Sequence, residues 1–256
     1  MNSREYEIMF RLEDAYWWYR GMRAVTRAFA PRLFARTPGA RALDAGCGTG
    51  RNLADLAAGG PAVGVDVSMR ALGFARRRRA APLVCASVEA LPFRAASFVA
   101  ALSRDVLCVV PDEARAAHEI ARVLAPGGLF VLSSPAFDAL AGAHDRAVGG
   151  LRRHTVPELE RLLSGAGLRV ARSTYANFFL APVIWAIRVL TRALSRARPV
   201  EEVASEFALS PKPFEEIFFF FLSLEALIVA RSRLPFGVTV LALAEKTAQG
   251  TSVAAK

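Results

Sequence analysis

The chain is 256 residues long, 54% hydrophobic and carries a formal net charge of +10, which suits one large domain, or one with an elaboration, around a substantial core. Such a charge fits a nucleic acid or an anionic membrane surface. Nearly all of it is arginine, with lysine only at 212, 246 and 256, a bias that genome composition can impose. The cysteines, Cys47, Cys85 and Cys108, are odd in number, far apart and set in apolar segments, which argues against a disulfide framework or a metal site. Glu5, Glu7, Glu13 and Asp14 interrupt any apolar leader, so a reducing cytoplasm is the expected setting.

Ser3 to Tyr16 reads as a helix, with Tyr6, Met9, Phe10 and Glu13 at helical spacing. The aromatics Tyr16-Trp17-Trp18-Tyr19 precede Arg20-Gly21-Met22-Arg23. They cannot share one helix face, so some cover either a pocket or the core. A second helix, Ala24 to Ala35, leads to Pro38-Gly39. Next comes the organising stretch, Ala42-Leu43-Asp44-Ala45-Gly46-Cys47-Gly48-Thr49-Gly50, a buried strand entering a glycine turn that opens a helix over 51–58. Glycines at alternate positions let the backbone bend tightly and leave no Cβ between turn and ligand. The next strand, Ala62 to Asp66, ends on a carboxylate suited to accept both hydroxyls of a ribose. A dinucleotide fingerprint would place a small residue where Arg51 stands, and that side chain is too large for the packing required. The glycines alone would also serve a plain strand–helix turn; Asp44 and Asp66 favour a nucleoside ligand.

The stretch resembles motif I of the class I S-adenosylmethionine-dependent methyltransferases, of the bacterial small-molecule, type 11-like kind. The resemblance implies S-adenosyl-L-methionine as cofactor, a ligand with a ribose and no pyrophosphate. It places Asp44, Gly46, Cys47, Gly48, Gly50, Asp66 and Val67 in the cofactor site, Cys47 by position and not through thiol chemistry. It also implies an α/β fold with a doubly wound, seven-stranded, mainly parallel sheet. The aromatic–Arg–Gly run is similar to an element that helps cover the cofactor in many members. By that likeness Trp18 and Arg20 face the methionine end, with Arg20 pairing its carboxylate.

Ser68 is the expected N-cap of a helix to Arg79, whose Arg76-Arg77-Arg78-Arg79 end reads as solvated, with a phosphate or lipid-headgroup patch as the alternative. A strand over Leu83 to Ala86 precedes Ser87-Val88-Glu89. Relatives often carry aspartate at position 87 for the adenine amino group; here the Ser87 hydroxyl and the Val88 backbone are the expected substitutes. The strand Phe98 to Leu102 has Val99 where relatives usually have aspartate, and leads into a loop over 103–107. Open α/β sheets bind ligands at this edge, so Ser103 is a site candidate. Leu107-Cys108-Val109 stands where relatives often read Leu-Glu-His, so a base that some members place there is missing. Asp112 caps a helix to Leu124, which carries His118 on its surface and ends at Ala125-Pro126-Gly127-Gly128 before a fifth strand, Leu129 to Ser133. Strand–helix alternation over 40–133 gives the parallel sheet.

Farther on, His144-Asp145 and Arg152-Arg153-His154-Thr155 resemble an insertion in a subgroup that reads His-Asp and then Arg-Arg-Tyr-Thr. By that likeness His144 is a candidate base, Asp145 orients it or the substrate, and Arg152 or Arg153 binds an anionic group; a salt-bridged loop is the alternative. Thr155 and Glu158 form a capping box, and Leu168 to Tyr175 is a sixth strand. The apolar stretches 177–194 and 217–230 are broken or bracketed by Pro182, Arg188, Arg192, Glu215, Glu216, Glu225 and Arg231, so neither reads as a membrane span. They form either a cap over the substrate pocket or an interfacial pair dipping Phe218 to Phe221 into a bilayer, aided by Arg192, Arg196 and Arg198. A last strand, Val238 to Ala244, is expected to insert antiparallel beside the sixth. The expected organisation is an N-terminal helical lid (1–36), a cofactor domain (37–175 and 235–246), an inserted cap (176–234) and a flexible tail (247–256).

A sulfonium methyl is already activated, so the protein mainly aligns a displacement and needs a base only if the acceptor must lose a proton. The expected function is methyl transfer, without metal, to a small hydrophobic or lipid-like acceptor, in the cytoplasm or at the inner membrane face. Ser87, Val99 and the missing Glu-His also suit a catalytically silent binding or scaffold protein. The charge also suits a nucleic-acid methyltransferase, but no Asn-Pro-Pro-Tyr-type motif appears, so nucleic acid is not the favoured partner.

Overall fold

A computed structural model describes residues 3–35, 38–186 and 212–247. Its strands are β1 (Ala42–Ala45), β2 (Ala62–Asp66), β3 (Leu83–Cys85), β4 (Phe98–Arg104), β5 (Leu124–Pro135), β6 (Leu168–Ala176) and β7 (Thr239–Lys246). They form one sheet in the order β3-β2-β1-β4-β5-β7-β6. β1 to β5 pair in parallel, and β7 runs antiparallel between β5 and β6. The chain direction across the sheet reverses between β1 and β4, which opens a crevice at their carboxyl ends.

Period-two alternation assigns each strand residue to a face. Leu43, Ala45, Ala101, Phe130 and Leu132 pack beneath α6 (Glu113–Val123) and α8 (Val156–Gly165). On the other face Ala42, Ala100, Leu102 and Val131 meet α2 (Trp17–Phe29), the short α3 (Pro31–Phe34) and α4 (Arg51–Ala57). The remaining helices are α1 (Ser3–Leu12), α5 (Met69–Arg78), α7 (Ala143–Val148) and α9 (Lys212–Val229).

The N-terminal helices divide differently from the sequence expectation. α1 stops at Leu12 and the aromatic run opens α2 at Trp17. The break falls at Glu13 and Asp14, whose carboxylates leave the helix surface to pair with arginines of α4 and α5.

The described part of the 176–234 insertion braces α2. Gly21 is the contact point: a Cβ there would lie 2.2 Å from Leu222 Cδ1, so only glycine lets α9 approach this closely. Phe218 packs on Trp17 with centroids 5.0 Å apart, and the buried Glu225 carboxylate accepts the Asn177 and Phe178 backbone N–H groups. None of the described residues of 177–186 and 212–234 lines the principal cavity, so they do not supply the expected roof over it. Of Phe218 to Phe221, only Phe220 is exposed; the other three pack against Trp17, Arg20 and Phe179. Arg188, Arg192, Arg196, Arg198 and the tail from 248 lie outside the described residues. No helix among the described residues is long and apolar enough to cross a membrane.

Candidate active site

The glycine turn after β1 has a left-handed backbone at Gly46, Gly48 and Gly50, with φ of 85°, 52° and 86°. A Cβ on Gly46 would sit 2.2 Å from Val106 Cγ2, and one on Gly50 would sit 2.8 Å from Ala75 Cβ, so glycine is required on both counts. The turn is pinned to β2, because Gly46 N and Cys47 N both donate to Val65 O at 2.8 Å. Asp66, at the end of β2, accepts Gly48 N (2.9 Å) on one oxygen and Ser68 N (2.8 Å) on the other. Each oxygen keeps an open lone pair, so the carboxylate can still receive two hydroxyls. Burial raises the Asp66 carboxyl above its ordinary range, and these two N–H bonds act against that rise. Burial likewise pushes the Cys47 thiol up, which keeps it neutral and unreactive.

Asp44 lies beneath this turn, 1% exposed, with Oδ2 lacking any partner. Burial first, and then the charge of Asp66, pushes its carboxyl up to about 7, while Arg104 pulls the other way. Arg104 ends β4 on the same sheet face as Ala100 and Leu102. Its Nε is also buried without a partner, and Nη1 donates to Asn52 Oδ1 at 3.3 Å. Orphaned buried polar atoms in a folded protein call for a reason. An amino-acid zwitterion supplies one, with an ammonium suited to the acidic side and a carboxylate suited to Arg104.

The α1–α2 junction is latched to the turn. Thr49 Oγ1 donates to Glu13 Oε1 (2.5 Å), Arg78 pairs with Glu13 (2.8 Å) and Asp14 (3.0 Å), and Arg51 pairs with Asp14 (2.8 Å). Arg78 Nε also donates to Thr49 O at 3.2 Å. The arginine run ending α5 is therefore not simply a solvated helix end. Arg78 is withdrawn into this latch, while Arg77 lies over Phe10.

These elements enclose a cavity of about 610 Å³ at the carboxyl edge of the sheet. Its wall includes Gly46, Cys47, Gly48, Asp66, Val67, Ser87, Val88, Glu89 and Trp18. Asp44 and Gly50 support the turn from behind. The Ser87 hydroxyl donates to Glu89 Oε2 (3.2 Å) and accepts Glu89 N (3.1 Å). A second cavity, of about 570 Å³, lies at the opposite edge against Arg41, Pro61, Pro82 and Ser97. It has no carboxylate on its wall, and sheets of this kind bind ligands at the carboxyl edge.

Several expected residues do not reach the cavity wall. β4 runs on to Arg104, which buries Ser103 inside the sheet, where its hydroxyl donates to Ala45 O (3.0 Å). Arg20 points to α9, paired with Glu216 (2.8 Å) and lying 4.0 Å over the Phe219 ring. Arg153 is held by Asp145 (2.9 Å) and by Ala136 O (3.0 Å). Arg152 touches the wall, but it donates to the carbonyls of Leu107, Val110 and Pro111. Loop carbonyls held away from water need donors, and these two guanidiniums supply them. Asp145 also lies on the wall and accepts Gly142 N, capping α7. His144 is in α7, and its side chain lies outside the described residues.

Sequence reasoning missed Arg104, Asp105 and Arg23, all on the cavity wall, and left open that Tyr19 of the aromatic run lies there too. A signal existed for the first two, since a charged pair stands one residue beyond the apolar strand Phe98 to Leu102. Among the described residues no group of His, Cys, Asp and Glu is arranged to hold a metal ion.

A family profile described as a methyltransferase domain matches residues 43–132. An uncharacterized protein of Mycobacterium tuberculosis is 42% identical over 137 residues, 50% of this chain and 46% of that protein. The 24-methylenesterol C-methyltransferase 2 of Oryza sativa is 33% identical over 159 residues, 56% of this chain and 44% of that enzyme. The chain thus spans about half the length of these curated relatives. Among solved structures, the methyltransferase bound to the Trm112 activator of Haloferax volcanii aligns with a TM-score of 0.62 at 18% identity, covering 95% of this chain and 98% of that one. That likeness is one of fold.

Proposed function

We propose that this chain, which belongs to the class I S-adenosylmethionine-dependent methyltransferases, transfers the methyl group of S-adenosyl-L-methionine to a small hydrophobic or lipid-like acceptor. Asp66 carries the reading: a carboxylate at the end of β2, with a lone pair open on each oxygen, beside a turn of three left-handed glycines. In this reading Asp66 holds the ribose hydroxyls, Ser87 and the Val88 backbone meet the adenine, and Arg104 meets the methionine carboxylate. Gly46 and Gly48 admit the ligand against the backbone. The cofactor, when bound, supplies a methyl on a sulfonium that needs no further activation. The residues align the acceptor, and the latched lid with Trp18 keeps water out.

Val106, Val109, Val110, Val148 and Val238 line the part of the cavity beyond these groups, which supports an apolar acceptor. The outer face of α9 supports a bilayer as its source. Phe214, Ile217, Phe220, Leu224 and Leu227 form an exposed stripe at helical spacing, followed by exposed Arg231, Arg233 and Phe236. Cosedimentation should be stronger with phosphatidylglycerol than with phosphatidylcholine vesicles, and Phe220→Glu should weaken it. Methyl-labelled S-adenosylmethionine should carry label into a membrane lipid extract. A protein that binds S-adenosylhomocysteine but labels nothing in such extracts would instead be a silent binding module.

A further inference from the structure

Within the methyl-transfer reading, the half of the cavity not assigned to the cofactor has an unusual charge balance. Its walls are mostly valine and proline. The cations near it are committed: Arg152 to three carbonyls and Arg153 to Asp145. Asp145 is balanced by that pair. Asp105 differs. It lies on the cavity wall, and its Oδ1 accepts a hydrogen bond from Ser133 Oγ (3.0 Å). No cation among the described residues forms an ion pair with it. It is fixed in place with φ of 57°, its N–H donating to Ser133 O (3.0 Å) and its carbonyl accepting from Cys108 Sγ (3.3 Å).

We propose that the acceptor is an amine on an apolar body, and that Asp105 is the carboxylate that receives its nitrogen. The chemistry agrees with the groups around it. The amine binds as its ammonium and first releases one proton to solvent, and the neutral nitrogen then uses its lone pair to form the new N–C bond. The C–S bonding pair stays with the cofactor sulfur, and the positive charge passes to nitrogen. The product N-methylammonium releases a proton to solvent if a lone pair is needed again. No protein base is consumed, which fits a loop that carries Leu107-Cys108-Val109. Asp105 offsets the charge that develops on nitrogen. Burial keeps the nearby Cys108 thiol and Tyr19 phenol neutral, pushing the thiol up to about 12 and raising the phenol as well. An anionic headgroup would meet the Asp105 carboxylate, which no cation among the described residues pairs.

The test titrates octylamine, octanol and octanoate at pH 7.5 into the protein, with and without saturating S-adenosylhomocysteine. Octylamine should bind at least about tenfold more tightly than octanoate. Asp105→Asn keeps the shape, an acceptor for Ser133 and tolerance of the left-handed backbone. It should lose the amine preference while S-adenosylhomocysteine affinity stays within about threefold. Octanoate binding as tightly as octylamine, or an unchanged preference in Asp105→Asn, overturns the proposal. A parent protein that ignores S-adenosylhomocysteine yet prefers octylamine refutes the methyltransferase reading and leaves the Asp105 assignment standing.

Discussion

Asp44→Asn should gain stability relative to the parent as pH rises in the ligand-free protein. The Asp44 carboxyl moves from an ordinary 3.8 to about 7 on folding, chiefly because it is buried. A raised acid of this kind supports folding most strongly below its unfolded pKa. That support is lost as pH rises toward the folded value. At about 1.4 kcal/mol per unit, the loss reaches roughly 2 kcal/mol at pH 5.5 and levels off near 4 kcal/mol above pH 7. Asparagine has no charge to desolvate. The absolute gain depends on how its amide is satisfied, but the difference between pH 5.5 and 8.5 does not, and should be about 2 kcal/mol. Glu225, also raised to about 7 by burial, titrates in both proteins and cancels. Urea unfolding of parent and variant at the two pH values measures this directly. A stability difference that is flat with pH would refute the buried, unpaired state of Asp44. The same substitution should weaken S-adenosylhomocysteine binding, because Asp44 underlies the glycine turn that the ligand would rest against.

Gly21→Ala should destabilise the protein by about 1–3 kcal/mol in urea unfolding, because its Cβ runs into Leu222 and the overlap outweighs the gain in helix propensity. Gly46→Ala should lower both stability and S-adenosylhomocysteine affinity, since it combines the Val106 clash with a left-handed backbone that disfavours alanine by about 1–2 kcal/mol. Arg104→Ala should weaken S-adenosylhomocysteine binding about tenfold or more by calorimetry, the loss of one charge-assisted contact. Arg20→Ala should leave that affinity unchanged and alter stability by less than about 1 kcal/mol, because its partner Glu216 is largely exposed.

The sheet was legible because its signals are local. Ala42 to Ala45 and Ala62 to Asp66 are apolar runs closed by a glycine turn or a carboxylate, and Ser68 and Asp112 cap the helices expected of them. The antiparallel insertion of β7 followed from the family resemblance. The parts that were not legible depend on contacts distant in sequence. Arg20 fits a ligand contact by its position, but its partner is 196 residues away in α9. Arg78 sits in a run of four arginines, and its two acidic partners in the α1–α2 junction are 64 and 65 residues away. Arg152 and Arg153 have the composition of an anion site, yet the carbonyls they satisfy belong to loops whose path the sequence does not give. Ser103 was misplaced by a strand end two residues short, which flips a side chain from loop to interior and hides the place of Arg104 and Asp105 on the cavity wall.

Calorimetric titration of the parent protein and of Asp66→Ala with S-adenosylhomocysteine tests the central claim most directly. The account predicts saturable one-to-one binding by the parent and a loss of roughly a hundredfold or more in the variant, as two hydroxyls lose a charged acceptor. A parent protein that shows no saturable binding, or a variant that binds as the parent does, would contradict it.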